Sequence, residues 1–274
     1  MVSNAVLISM VFTLVVSLVL PIVILLGLMK GRKGVFSVWV AGALGFIVPQ
    51  LFIRIPILQY LGQTAGFQAF ALTRPVLYAF LLALTAGLFE TAGRLAVLKY
   101  ALAGRLSFRT GLTAGAGHGG IEAMVLIGLT YVNNLVVSFM INTGRLNQLI
   151  PDNPAMADSI RQLLVETPPE TFLMAGLERI LTMVFHIALS VLLAWFIYQK
   201  RSVIGFILVT ALHFSVDFAA VILSQNGISM WVIEGALLVI AGASLFMIRW
   251  LKPRFRQEQE IPVDPGEQAV KEGF

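Results

Sequence analysis

The 274-residue sequence contains no cysteine, which removes disulfides, thiolate metal ligands and a cysteine nucleophile together. Charge is also scarce, since Asp, Glu, Lys and Arg make up 12% of the residues, about half the share usual in soluble domains. No H-E-x-x-H segment is present, so the strongest zinc-protease signal is missing. Internal repeats and low-complexity tracts are absent as well, which argues against the paired halves of many transporters. Apolar residues dominate instead, at 58% of the chain with a mean hydropathy of +0.89. That is the composition of a membrane protein rather than of a soluble core.

Seven apolar runs reach the roughly 20 residues needed to cross about 30 Å of hydrocarbon. They cover approximately 4–28, 36–58, 76–100, 111–141, 172–198, 203–223 and 230–250. The sequence thus predicts an all-α polytopic bundle, one membrane domain over 1–252, with 76–223 as the candidate catalytic core. The fourth run is overlong and is expected to tilt, to break at its glycines or to extend beyond the bilayer. The first lacks a basic n-region and a small-residue cleavage site, so it is expected to be retained.

Lys and Arg mark every second connection: Lys30, Arg32 and Lys33; Lys99, Arg105 and Arg109; Lys200 and Arg201; and Lys252, Arg254 and Arg256. The positive-inside rule then places the N-terminus outside and the C-terminus in the cytoplasm. The basic balance reflects this bias and not a nucleic-acid partner. Between about 142 and 171, Pro151, Pro154, Pro168 and Pro169 frame an amphipathic helix near 156–165, a candidate cap or gate on the outer face. The tail over 253–274 has too little apolar content to pack and is expected to be disordered.

Against this apolar background all three histidines fall inside spans. His118 precedes Glu122 by four residues, His213 precedes Asp217 by four, and Glu90 precedes Arg94 by four. One helical turn separates the members of each pair, so each pair projects from one helix face. Ionisable groups at membrane depth are costly and mark functional interiors. At about 1.5 Å per residue, Glu90 and His118 lie roughly 14 Å from the basic end, His213 about 18 Å and His186 about 20 Å. These groups are expected to share one layer across four helices. Each also has a plainer explanation: Glu90–Arg94 as a self-neutralising pair, a histidine as an interhelical hydrogen bonder, Glu178–Arg179 and Glu234 as interfacial charges. Gly111, Gly115 and Gly119 suit close helix packing, while Gly117-His118-Gly119-Gly120 is alternatively a loosened stretch that admits water.

A buried carboxylate can act as general base on water, with His, Asp and Arg holding it or stabilising an oxyanion. Alternatively His118, His186, His213 and a carboxylate would form a zinc set of three nitrogens and one oxygen.

Glu90-Thr91-Ala92-Gly93-Arg94 (E-x-x-x-R), Gly117-His118-Gly119-Gly120-Ile121-Glu122-Ala123 (G-H-G-G-x-E-A), His186 and His213-Phe214-Ser215-Val216-Asp217 (H-x-x-x-D) together resemble the YhfC family of bacterial membrane peptidases. That family is related to the type II CAAX prenyl proteases and PrsW-like proteases. The resemblance implies an intramembrane endopeptidase of a bacterial plasma membrane, acting on a membrane protein or peptide, with a glutamate as base and no required cofactor. It makes Glu90 the base and Arg94 its orienting partner, with His186, His213 and Asp217 as hydrogen-bonding partners. The doubled glutamate usual in CAAX proteases is Phe89-Glu90 here. Glu122 is therefore a second candidate base. Two other functions compete: a non-catalytic scaffold, because the superfamily also resembles a presenilin-complex subunit, and a proton-coupled transporter.

Overall fold

The computed structural model describes residues 1–149, 151 and 153–255; of the tail expected to be disordered from 253, the part from 256 onward lies outside them, while 253–255 are ordered because Phe255 is buried against Phe108. The described residues are helical with no strands. Seven helices are long and apolar enough to span a membrane: α1 (Asn4–Met29), α2 (Val35–Gly62), α3 (Pro75–Ala101), α4 (Phe108–Asn142), α5 (Pro169–Tyr198), α6 (Ser202–Gln225) and α7 (Met230–Arg254). The protein is an all-α integral membrane bundle. Its sides carry exposed Ile, Leu, Val and Phe, such as Ile8, Phe52, Ile207 and Val239, which only lipid can cover at no cost.

Local chemistry sets the helix ends. Ser107 accepts from the Thr110 amide at 3.1 Å and so caps α4. Pro75 and Pro169 open α3 and α5, where a missing N–H costs nothing. Three π-helical stretches interrupt the spans: Ile47–Arg54 in α2, Val97–Ala101 in α3 and Ala123–Gly128 in α4. The first contains Pro49, whose ring cannot accept the i−4 register of a regular helix. The other two begin within three residues of Arg94 and one of Glu122. Insertions of this kind re-aim side chains and recur at functional sites.

Helix α5 is the hub, packed against α1, α4, α6 and α7. Its most apolar stretch is 56% buried, against 17% in α6 and α7. Helix α4, with its π-helical turn, spans 35 residues, about 50 Å, and therefore extends past the hydrocarbon. Its glycines serve packing. A Cβ on Gly117 would stand 2.0 Å from the Trp39 carbonyl oxygen, so α2 and α4 touch backbone to backbone there. Gly111, Gly115 and Gly119 face Val191, Ile187 and His186 along α5. The alternative of a loosened stretch at Gly117–Gly120 is not seen, because close helix crossings hold those turns; the irregular turn comes later, at Ala123–Gly128. A Cβ on Gly93 would likewise lie 2.0 Å from the Gly45 carbonyl oxygen, pressing α3 onto α2. The amphipathic segment forms Pro154–Glu166, with Ala157 and Leu164 buried in a cluster that includes Val2, Ile141 and Phe172.

Candidate active site and metal-binding cluster

The close crossings of α2, α3, α4 and α5 bring the polar groups of the spans to one place. Glu90, 4% exposed, is the centre. Its Oε2 takes a hydrogen bond from Arg94 Nη2 at 3.3 Å and lies 3.0 Å from His118 Nε2. Its Oε1 accepts from Gln50 Nε2 at 2.6 Å. His186 Nδ1 and His213 Nδ1 stand 3.8 and 3.6 Å from the same Oε2. Glu90–Arg94 is thus not a self-contained pair but one edge of a network over five helices.

Arg94 Nη2 also lies 2.5 Å from His186 Nδ1. A guanidinium only donates, so His186 Nδ1 accepts here and its proton sits on Nε2. That Nε2 is 2.9 Å from Glu122 Oε2, so the neutral imidazole turns its N–H side to this carboxylate. Glu122 Oε1 meets Arg179 Nη1 at 3.5 Å, and Arg179 pairs with Glu178. Arg179 is 11% exposed, so it points into the site and not to the interface as its position near the helix end suggests. His213 Nε2 faces Asp217 Oδ2 at 3.3 Å, with Asp217 36% exposed at the rim.

All seven residues expected from the sequence, Glu90, Arg94, His118, Glu122, His186, His213 and Asp217, are therefore neighbours in one network, buried except at its rim, where Asp217 stands. Gln50 and Arg54 were not foreseen. Arg54 binds Gln50 Oε1 at 3.1 Å, Thr85 Oγ1 at 3.0 Å and the Leu82 carbonyl at 2.7 Å, tying α2 to α3 behind Glu90. The signal was present, since Gln50 and Arg54 share the four-residue spacing of the other pairs.

Donor atoms of Glu90, His118, Glu122 and His186 all lie within 4.8 Å of one another in the interior of the bundle. Tetrahedral ligands at about 2.0–2.2 Å from one zinc stand roughly 3.3–3.6 Å apart, so the outermost of these donors would draw in by about 1 Å to share an ion. Two carboxylates and two imidazoles are a donor set zinc accepts, and His118 Nδ1 and Glu122 Oε2 are buried without a hydrogen-bond partner. The residues fit a divalent cation. The expected set of three histidines is corrected in one respect: His213 is outside the group of four, because α6 turns its ring toward Asp217. A void of about 10 Å³ between Arg94, His118 and Ser190 has the size of about one water.

The family model described as YhfC intramembrane metalloprotease matches residues 15–237. The chain is 27% identical over 252 residues to the uncharacterized membrane protein YhfC of Bacillus subtilis (strain 168), covering 90% of this chain and 97% of that protein. No solved structure matches.

Proposed function

Since the chain belongs to the YhfC intramembrane metalloprotease family, we propose that it is an intramembrane endopeptidase, hydrolysing a peptide bond of a membrane-associated protein or peptide at the Glu90–His118–Glu122–His186 cluster. The observation that carries this is the convergence of four buried donors from α3, α4 and α5 within 4.8 Å. A purely structural bundle gains little from burying such a set, because each group loses hydration.

Catalytic zinc sites keep three protein ligands and one open position. Glu90, His118 and His186 would hold the cation, and Glu122 is the base. Both oxygens of Glu90 are committed, to Gln50 and to Arg94 and His118. Glu122 Oε2 faces His186 Nε2 at 2.9 Å, and the Glu122 side chain is 12% exposed against 5% for Glu90, so it is the carboxylate better placed to take a proton from water. Arg179 fixes its other oxygen. A bound cation of this kind supplies Lewis acidity, polarising a carbonyl and acidifying a water. His213, oriented by Asp217, is placed to donate a proton to the leaving amine. The orientation proposed for the whole puts the basic loops in the cytoplasm.

One contact favours a second, metal-independent mechanism. Arg94 Nη2 fills the space between Glu90 Oε2 and His186 Nδ1 and supplies there the positive charge that a cation would bring. In that mechanism Glu122 is still the base, and Arg94 with His118 stabilises the oxyanion.

The test is cleavage of single-span fluorogenic peptides by the full chain in proteoliposomes, with new termini read by mass spectrometry. Cleavage that disappears in Glu122→Gln supports the proposal. Full cleavage retained by both Glu90→Gln and Glu122→Gln excludes it.

A further inference from the structure

At the end of the bundle opposite the basic loops, a cavity of about 590 Å³ opens between α5, α6 and α7. Its volume is in the range of ligand sites. Met174, Val221 and Leu237 line it with apolar surface, while Glu178 and Glu234 supply two carboxylates. A second cavity, of about 390 Å³, shares Met174 and Glu234 with the first, so Glu234 stands in the wall between the two.

Two features connect this space to the candidate active site. On α5, Glu178 pairs with Arg179, which reaches Glu122. On α6, the lining residues Ala220 and Val221 follow Asp217 by three and four residues, one turn, and Asp217 holds His213. Among the described residues one guanidinium is supplied here, that of Arg179, and it is already shared between Glu122 and Glu178. Glu234 Oε2 is buried with no hydrogen-bond partner. The position therefore holds a carboxyl group with no cation of its own in an apolar wall, where an incoming cation would stabilise its charged form. Helix α7 leans on α5 and meets α6 only weakly, so the wall between α6 and α7 is the loose one.

We propose that this cavity is where substrate docks, and that it takes an apolar polypeptide segment bearing a basic residue or a free amino group, which Glu234 engages with help from Glu178. The inference rests on the protease function above and adds its substrate class. An apolar segment matches the lining, and a cation matches the uncompensated carboxylate; a negatively charged or uncharged segment gains nothing from Glu234.

The test is binding, so it does not depend on turnover. The full chain in phosphatidylcholine nanodiscs is titrated with a fluorophore-labelled Leu/Ala-rich segment of about 20 residues carrying one Lys near its end. The same segment with Gln or Glu in that place is run beside it. The expected result is about tenfold tighter binding of the Lys segment than of the Gln segment, a tenfold ratio being about 1.4 kcal/mol. In Glu234→Gln that preference falls to within about twofold. Ala220→Trp, which fills the cavity, weakens all three segments. Thermal melting checks that both variants are folded. Equal binding of the Lys and Glu segments to the unaltered protein overturns the proposal, as does an undiminished Lys preference in Glu234→Gln. A co-purifying phospholipid that the Lys segment does not displace, read by native mass spectrometry, also overturns it. Charge-selective binding without any cleavage upholds the docking site and counts against the protease function; cleavage without charge selectivity does the reverse.

Discussion

Arg94 Nη2 and His186 Nδ1 lie 2.5 Å apart although 92 positions separate them in the chain. The contact decides the tautomer of His186 and joins α3 to α5 at the level of Glu90. Because Arg94 is 2% exposed and serves two buried partners, its removal leaves charge uncompensated in an apolar interior. Arg94→Gln is expected to cost about 3–5 kcal/mol, the range for breaking a buried pair from one side. Arg94→Lys keeps the charge but loses the planar fork, and should recover only part of the loss. Urea-induced unfolding in mild detergent measures both; an Arg94→Gln protein as stable as the parent would remove Arg94 from the network.

Glu122 and Glu90 are expected to fail differently. Glu122→Gln should lower the turnover number by about 10²–10⁴, the range for a general base, with little change in stability. Glu90→Gln should reduce turnover and also destabilise, since Gln50, Arg94 and His118 each lose a charged acceptor. A hydrogen bond to a charged group contributes about 1.5–3 kcal/mol. Turnover and melting measured on the same preparations separate base from anchor, and equal stability losses in the two variants would undo that division.

Metal content distinguishes the two mechanisms. If Glu90, His118 and His186 hold a cation, elemental analysis of protein purified without chelator finds about one equivalent of a divalent metal, and His118→Ala and His186→Ala lose it. His213→Ala should keep it, since His213 is outside the group of four. A chelator then abolishes cleavage and the metal restores it. Full activity in metal-free protein would leave the Arg94-based mechanism standing.

Gln50 is expected to matter through Glu90. Gln50→Leu removes the 2.6 Å hydrogen bond to Glu90 Oε1 and the acceptor for Arg54. The turnover number should fall by about tenfold with KM unchanged, which is what misplacement of a group near the reacting centre produces. An unchanged turnover number with a raised KM would place Gln50 in substrate binding instead.

Gly117→Ala tests the crossing of α2 and α4. The added Cβ would lie 2.0 Å from the Trp39 carbonyl oxygen, so the helices must part and carry His118 with them. Overpacking of this kind costs about 1–3 kcal/mol. Gly66→Ala, where nothing lies within 4 Å, is the control. Equal melting temperatures for the two variants would mean that α2 and α4 part without cost.

Much of the bundle was legible along the chain. Membrane embedding, the seven spans and their ends within a few residues follow from run length, a local property that lipid thickness reads directly. The i, i+4 pairs were legible because one helical turn puts their members on one face. Gln50 and Arg54 were passed over although they share that spacing, since they lie in an apolar run with neither histidine nor carboxylate. Arg179 was assigned to the interface from its place near a helix end, whereas the rotation of α5 turns it toward Glu122.

The sequence alone thus determined the class, the number of crossings and the polar residues that have no reason to be in lipid. Only the tertiary structure decided which of them meet: that Glu90 is held by Gln50, Arg94 and His118, that His186 joins Arg94 to Glu122, and that His213 faces Asp217 outside the group of four. The reason is physical. Rotation of a helix about its axis is not encoded within its own run; it is set where backbones touch, at Gly93 on Gly45 and Gly117 on Trp39, and where π-helical turns shift the face beyond Arg94 and Glu122.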